Sequence, residues 1–155
     1  MILLSGKAVS TLEAVLDIAC NARPDPVRSG EIAERVGRPK RYLEKVMQQL
    51  AQAGILKGVR GPRGGYMLAR ERRRIPVGEI LRIVAATENN READMPKQAN
   101  FSCAMAVLQQ LCAEMETDFF ARLDQITIED LCTQQDKSAG TGKPPAQGEH
   151  VDFTI

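Results

Sequence analysis

The sequence has no tryptophan, one histidine and few aromatic residues, and its four cysteines stand far apart. The cysteines at positions 20, 103, 112 and 132 lack the close paired spacing of zinc sites and of small disulfide frameworks. The single histidine, His150, belongs to no cluster of carboxylates or nucleophiles that is visible in the sequence. We therefore predict that the protein is not an enzyme.

Long apolar runs are also absent. The mildly apolar N-terminal segment contains Lys7, Glu13 and Asp17, which interrupt the stretch that a signal peptide or a membrane span would need. We expect a cytosolic (cytoplasmic) protein with no membrane partner. The chain has 155 residues, 43% of them hydrophobic, which is enough for one core.

The net charge of +1 hides an asymmetry between the two halves of the chain. Residues 1–74 contain 15 Lys and Arg against 7 Asp and Glu, which gives +8, whereas residues 75–155 contain 6 against 13, which gives −7. A basic front half is typical of a surface that faces phosphates.

The front half has the pattern of a helix-turn-helix. Apolar residues recur at three- and four-residue steps over 10–21, which predicts a first helix. Ser29 is the predicted N-cap of a second, short helix that ends near residue 37. Pro39 begins the predicted third helix, which runs to about residue 53 with long polar side chains along one face. Two helices joined by a glycine-containing turn indicate a DNA-binding motif.

A β-hairpin is predicted directly after this motif. Residues 55–60 alternate as a strand, the GPRGG segment over 61–65 must turn, and residues 66–68 pair back. Arg60 and Arg63 would then lie at the tip of a two-stranded wing. The predicted fold is mainly α with a small two-stranded β wing, a winged helix-turn-helix followed by a long C-terminal dimerisation helix.

The C-terminal half is predicted to continue with Pro76 opening a fourth helix, followed by a polar loop and a long helix over 101–126. The pair Thr127 and Asp130 has the shape of a capping box that starts a last short helix. The predicted division is a winged helix-turn-helix domain over 1–87, a mobile loop of sensor type over 88–100, the dimerisation helix and a short closing helix over 101–132, and a disordered tail over 133–155.

One apolar stripe on the long helix is predicted to pack against a second copy of the chain, because a helix of this length exceeds what a small winged-helix body needs. The predicted dimerisation residues are Met105, Leu108, Cys112, Met115, Phe119, Leu123 and Ile126.

The segment KRYLEKVMQQLAQAGILKGVRGPRGGYMLAR, followed by IPVGEILRIV and LDQITIEDL, resembles the Rrf-type winged-helix transcriptional regulators that include IscR, NsrR and CymR. The resemblance covers residues 1 to about 132. It implies a homodimer in which each subunit gives a recognition helix to the major groove and a wing to the minor groove of a palindromic operator. By position it assigns Arg41, Glu44 and Lys45 to base edges or phosphates and Arg60 to the minor groove.

The partner predicted from these observations is double-stranded DNA. A guanidinium fits a narrow minor groove, and a glutamate on a basic helix can accept from a cytosine amino group. The predicted DNA-binding residues are Ser29, Lys40, Arg41, Tyr42, Glu44, Lys45, Gln48, Arg60, Gly61, Arg63 and Gly64.

The resemblance also raises the question of an iron-sulfur cluster. In the cluster-binding members, three cysteines in the loop before the long helix hold the cluster, but the loop over 87–100 contains no cysteine here. Cys103 lies in the first turn of the predicted long helix, where the helix dipole lowers a thiol pKa, and is the candidate redox or ligand residue. Cys103 and Cys112 would lie on opposite sides of that helix. Cys20 and Cys112 are predicted to be buried apolar-type residues, Cys20 in the core and Cys112 on the dimer stripe.

We predict no metal site and no cofactor; the alternative is an iron-sulfur cluster in a non-standard site. The predicted function is a sequence-specific DNA-binding transcription regulator, a repressor, responsive to redox, iron or a small ligand. The alternative function is a winged-helix protein-interaction module that regulates a metabolic enzyme, its partner, without specific DNA binding.

Overall fold

The computed structural model describes residues 5–22, 24–92 and 103–140. Within these ranges the chain forms six α-helices, one 3₁₀ turn and a two-stranded antiparallel sheet, which confirms the predicted mainly α fold with a two-stranded wing. The elements are α1 (Gly6–Asn21), α2 (Ser29–Val36), α3 (Lys40–Gln52), β1 (Leu56–Val59), β2 (Gly65–Leu68), a 3₁₀ turn (Arg72–Arg74), α4 (Val77–Glu92), α5 (Cys103–Leu123) and α6 (Ile128–Gly140).

Helix α1 is the centre of the body and contacts α2, α3, α4, α6 and β2. It begins four residues earlier than the periodicity predicted, because Ser5 caps it by accepting a hydrogen bond from the Ala8 N–H at 3.2 Å. Its inner face, which includes Ala14, Val15 and Ile18, is fully buried. The early start shows that a capping serine outside the apolar stripe sets the helix boundary.

Helices α2 and α3 form the predicted helix-turn-helix. Between them Gly37 has φ 67°, a left-handed conformation that glycine adopts without strain, and this ends α2. The prediction that Ser29 caps α2 is wrong: Arg28 holds the N-cap position and the Ser29 hydroxyl hydrogen-bonds the Glu44 carboxylate instead. Pro39 stands one residue before α3, at its N-cap, rather than inside its first turn.

The wing is an antiparallel pair in which Leu56 lies opposite Leu68 and Val59 opposite Gly65. A third segment joins it, since Val27 and Tyr66 exchange two backbone hydrogen bonds of 2.9 and 2.8 Å. The sequence pattern predicted no strand at Val27. The extra bridge ties the chain that enters α2 to the wing.

Helix α4 continues to Glu92, so the prediction that the polar segment from Thr87 belongs to a loop is wrong for residues 87–92. These residues lack proline and glycine, and the Thr87 hydroxyl donates to the carbonyl of Ile83 at 2.8 Å within the helix. The remainder of the predicted sensor loop, residues 93–100, lies outside the described residues.

Helix α6 begins with the predicted capping box. The Asp130 carboxylate accepts from the Thr127 N–H at 2.8 Å, and the Thr127 hydroxyl accepts from the Asp130 N–H at 3.3 Å. The helix extends to Gly140, so the predicted disordered tail is wrong for residues 133–140, and residues 141–155 lie outside the described part. The buried side chains of Ile128 and Cys132 pack α6 against the body. Residues that are compatible with a helix then continue α6 beyond Cys132.

Helix α5 is joined to the body at its C-terminal end. Arg82 of α4 forms a bidentate ion pair with Asp124 at 2.6 and 2.7 Å and lies over the Phe120 ring at 4.8 Å from its centre. Just beyond, Pro76 and Thr127 form an isolated antiparallel bridge. No helix of the described ranges has the length and apolar composition that a bilayer span requires.

Candidate nucleic-acid interface

Helix α3 has one buried face and one polar face, as its sequence predicted. Leu43, Val46, Met47 and Leu50 are buried in the core. The opposite side carries cations and an amide that are exposed to solvent: Lys40, Arg41, Lys45 and Gln48. The helix spans about 20 Å, and its exposed side chains can contact several consecutive base pairs.

Two predicted site residues on this helix make contacts with other residues of the same chain. Glu44 is half-exposed, and its Oε1 atom accepts from the Ser29 hydroxyl at 3.1 Å and lies 3.7 Å from the Lys40 ammonium. Tyr42 is half-buried and packs against the hydrophobic core. Glu44 is therefore held in a fixed position at the junction of α2 and α3.

The wing turn is built on close backbone approaches. The Gly64 N–H donates to the Gly61 carbonyl at 2.9 Å, and Gly61 has φ 114°. A Cβ atom at Gly65 would collide with the carbonyl oxygen of Val27. Arg60 and Arg63 flank this turn and are exposed. The glycines allow the turn to form with both guanidinium groups at its surface.

Arg28 is a candidate site residue that the sequence analysis missed. Its Nη2 atom donates to the Pro62 carbonyl in the wing turn at 3.1 Å, so it holds the tip of the wing against the start of α2. The two residues of this contact are 34 positions apart in the sequence. In the sequence alone, Arg28 is visible only as one of several arginines in a basic segment. Positioning by such a distant pair has no signature in the sequence.

A groove of about 920 Å³ separates α2 and α3 from the wing. Arg28, which the sequence analysis did not predict, lines this groove. The predicted site residues that line it come from α2, α3 and the wing and are Ser29, Lys40, Gln48, Arg60, Gly61 and Gly64. Arg41, Tyr42, Glu44, Lys45 and Arg63 do not line it. Glu31 and Glu34 of α2 also face the groove, so its cationic character comes from the α3 and wing sides.

Glu44 of α3 and Tyr66 of the wing interact electrostatically. Burial raises the pKa of the Tyr66 phenol, and the nearby carboxylate of Glu44 raises it further. The hydroxyl of Tyr66 is therefore neutral at physiological pH. Glu44 thus lies where the recognition helix and the wing meet.

Comparison with known proteins identifies the family. A profile described as "Rrf2: Iron-dependent Transcriptional regulator" matches residues 4–134. The chain belongs to the Rrf2 family. Among curated Rrf2-type relatives it is 31% identical over 138 residues to the HTH-type transcriptional regulator IscR of Klebsiella pneumoniae (strain 342), covering 86% of this chain and 81% of that one. It is 30% identical over 137 residues to a putative rrf2-like regulator of Rhodobacter capsulatus, covering 83% and 91%.

Solved structures of the Rrf2 type agree with the fold. "T. potens IscR" superposes with a TM-score of 0.68 at 32% identity, covering 94% of this chain and 93% of that one. CymR of B. subtilis, described as a global cysteine regulator, superposes with a TM-score of 0.62 at 25% identity, covering 84% and 96%. This Rrf2-family chain is an IscR-like transcriptional regulator with a DNA-binding winged helix and is not an enzyme.

The predicted dimerisation residues of this Rrf2-family chain divide into two groups. Met105, Leu108, Cys112 and Met115 are exposed on α5, as is Ile126 beyond its end. Phe119 is half-buried, and Leu123 packs against the protomer core. Every side chain from Met105 to Asp118 is exposed, so this part of α5 extends beyond the body.

The described cysteines do not fit an iron-sulfur cluster. No group of three or more His, Cys, Asp or Glu side chains that could hold a metal occurs in the part of this Rrf2-family chain that the structure describes. Cys112 is exposed on α5, and Cys20, predicted as a core residue, is exposed on α1 because the helix turns this position toward α6 and solvent. The Cys103 side chain, the predicted redox or ligand residue, lies outside the described side chains.

Proposed function

We propose that the protein is a cytoplasmic repressor that binds a palindromic operator as a homodimer, with α3 in the major groove and the wing in the minor groove. The observation that supports this is the single groove whose walls carry Lys40 and Gln48 from α3 and Arg60 from the wing. Cations on two separate elements facing one groove suit a duplex, whose two phosphate strands border the groove that a helix enters.

The roles of individual side chains follow from their exposure. Arg41, Lys45 and Gln48 project from α3 and have the reach to contact base edges and phosphates. Arg60 and Arg63 at the wing tip suit the narrow, electronegative minor groove of A·T-rich DNA. Glu44 is oriented by Ser29 and Lys40 and has the chemistry to accept from a cytosine amino group.

The homodimer is supported by the exposed part of α5. Met105, Leu108, Leu111 and Met115 have 43–52% of their surface exposed on one side of a helix that extends beyond the body. An isolated helical segment of about 14 residues is marginally stable in water, so tertiary or quaternary packing must support it. A second copy that buries the same apolar stripe satisfies this requirement in a closed, two-fold assembly.

The two-fold symmetry of a homodimer accounts for the palindromic operator in the proposal. Two identical reading units related by a dyad read the same sequence on opposite strands, which is an inverted repeat. A dimer seated on such a site within a promoter would exclude the transcription machinery, which is the mode of action of a repressor.

The proposal is tested by selecting binding sites from a pool of random DNA duplexes with the purified full-length protein. We expect successive rounds to enrich an inverted repeat whose half-sites have their centres about one helical turn apart or a multiple of it. If no motif is enriched and the protein retains all duplexes of the pool equally, sequence-specific operator binding is refuted.

A further inference from the structure

Two cysteines that are distant in sequence meet in the fold, outside the DNA-binding surface. Cys20 lies near the end of α1 and Cys132 in the first turns of α6, 112 residues further on. Their sulfur atoms are 3.8 Å apart, and the Cys20 thiol donates to the Cys132 sulfur. A disulfide requires a separation of about 2.05 Å, so the sulfurs need to approach each other by only about 2 Å.

The two thiols differ in access. Cys132 is 2% exposed, whereas Cys20 is exposed and lines a surface cavity of about 520 Å³ between α1, α2 and α6. Leu16, Leu131 and Gln135 are among the other residues that line this cavity. A small oxidant can therefore reach Cys20 from solvent, while Cys132 is shielded from solvent.

The charged groups around the pair have both signs. The Arg72 guanidinium contacts the Cys132 thiol and forms an ion pair with Glu129 at 3.1 Å between Nε and Oε2. Asp136, one turn further along α6, is near Cys20. Arg72 is placed to stabilise a thiolate at this site during reaction.

We propose that Cys20 and Cys132 are a redox couple that closes a reversible intramolecular disulfide between α1 and α6 when the protein meets a low-molecular-weight disulfide. The Cys20 thiolate attacks one sulfur of that oxidant, forms a mixed disulfide and releases one thiol. The Cys132 thiolate then attacks the Cys20 sulfur and releases the second thiol. In sum, two protein thiols are oxidised to one disulfide and one small disulfide is reduced to two thiols, with both protons passing to the released thiols.

The protonation of the pair sets the pH dependence of this reaction. Desolvation, and after it the adjacent Cys132, raise the pKa of the Cys20 thiol to about 11. Only a small fraction is thiolate at neutral pH, and that fraction grows about tenfold per pH unit below the pKa. The rate of disulfide formation should therefore rise roughly tenfold for each unit between pH 7 and 9.

The experiment uses the full-length protein with Cys103→Ser and Cys112→Ser, which leaves Cys20 and Cys132 as its two remaining cysteines. The protein is equilibrated in buffers of oxidised and reduced glutathione, alkylated, digested with trypsin without reduction and analysed by mass spectrometry. We expect a cross-linked pair of peptides covering residues 8–28 and 123–137, which disappears after treatment with dithiothreitol.

Two single replacements in the same background serve as controls. Cys132→Ala should stop the reaction at a glutathione adduct on Cys20, and Cys20→Ser should leave Cys132 unmodified because it is buried. The same protein unfolded in urea should form glutathione adducts on both cysteines, which shows that the oxidant is active. A stable adduct on Cys20 with Cys132 present, a cross-link between two chains, or recovery of both thiols unmodified would each overturn the proposal. A rate that does not change between pH 7 and 9 would also contradict it.

Discussion

At the scale of single residues, the proposed interface depends on a few side chains near the ends of elements. Arg60 directly follows β1, Arg63 lies in the wing turn and Arg28 precedes α2, and none of them is buried. Their effect on folding is small, because exposed charges stabilise proteins little. Their replacement should therefore change DNA binding with little effect on the fold.

The first prediction concerns Arg60. Arg60→Ala should weaken binding to the selected operator by about 1–3 kcal/mol and reduce the salt dependence of binding by about one counterion, because one contact with the minor groove is lost. The measurement is an equilibrium titration by fluorescence anisotropy over a series of salt concentrations. Arg73→Ala, which removes the same charge from an exposed position outside the groove, should leave affinity unchanged. Equal losses in the two variants would mean that the wing does not contact DNA.

The second prediction concerns the backbone contact between Val27 and the wing. Gly65→Ala should lower the free energy of unfolding by roughly 2 kcal/mol or more, because the new methyl group collides with the Val27 carbonyl and breaks the bridge to Tyr66. Gly58→Ala on the paired strand is the matched control, since its methyl group would meet the Tyr66 ring at an ordinary 3.8 Å. Urea denaturation of both variants distinguishes them, and similar midpoints would show that the close approach is not needed.

At the scale of elements, periodicity and turn residues predicted the order from α1 to the wing, and the capping box at Thr127 predicted the start of α6. Local patterns fail where a boundary or contact depends on distant residues. The bridge between Val27 and Tyr66, the extension of α6 along the body, and the meeting of Cys20 with Cys132 all join parts far apart in sequence. Glu44 was predicted as a DNA contact from its place on α3, and its hydrogen bond with Ser29 became visible only in the fold.

The third prediction concerns the capping box of α6. Hydrogen bonds from the Thr127 N–H, and then from its hydroxyl, lower the pKa of Asp130 below its usual value. A depressed folded-state pKa stabilises the fold above the unfolded pKa of about 3.9, and this contribution is lost as the pH falls through the folded value. Asp130→Asn should therefore lower the melting temperature modestly at pH 7. At a pH well below the folded-state pKa of Asp130 both proteins carry a neutral side chain here, and their stabilities should converge. A difference between wild type and variant that persists unchanged at low pH would exclude a role for the carboxylate charge.

The fourth prediction concerns α5. Leu108→Glu should convert the dimer to monomer, because it places two like charges in an apolar contact. Ala113→Glu, which adds the same charge to an exposed position away from the apolar stripe of the same helix, should leave the dimer intact. Sedimentation equilibrium over a range of protein concentrations gives the answer. The account of α5 would fail if both variants, or neither, dissociated.

At the scale of the whole molecule, the chain separates a basic DNA-facing half from an acidic half that carries α5 and α6. The two halves are joined by the Arg72–Glu129 ion pair, the packing of α6 on α1 and on the 3₁₀ turn, and the packing of α4 on α1. A change in the C-terminal half can therefore reach the body through a small set of contacts. The Cys20–Cys132 pair lies on one of them, the α1–α6 contact.

The measurement that tests the central claim most directly is the affinity and stoichiometry of the full-length protein on its selected operator and on a scrambled duplex of equal composition, across a salt series. We predict two protomers per operator, a preference of about 10³ or more for the operator over the scrambled duplex, and a steep fall of affinity with salt. Equal affinity for the two duplexes, or one protomer per site, would contradict the account.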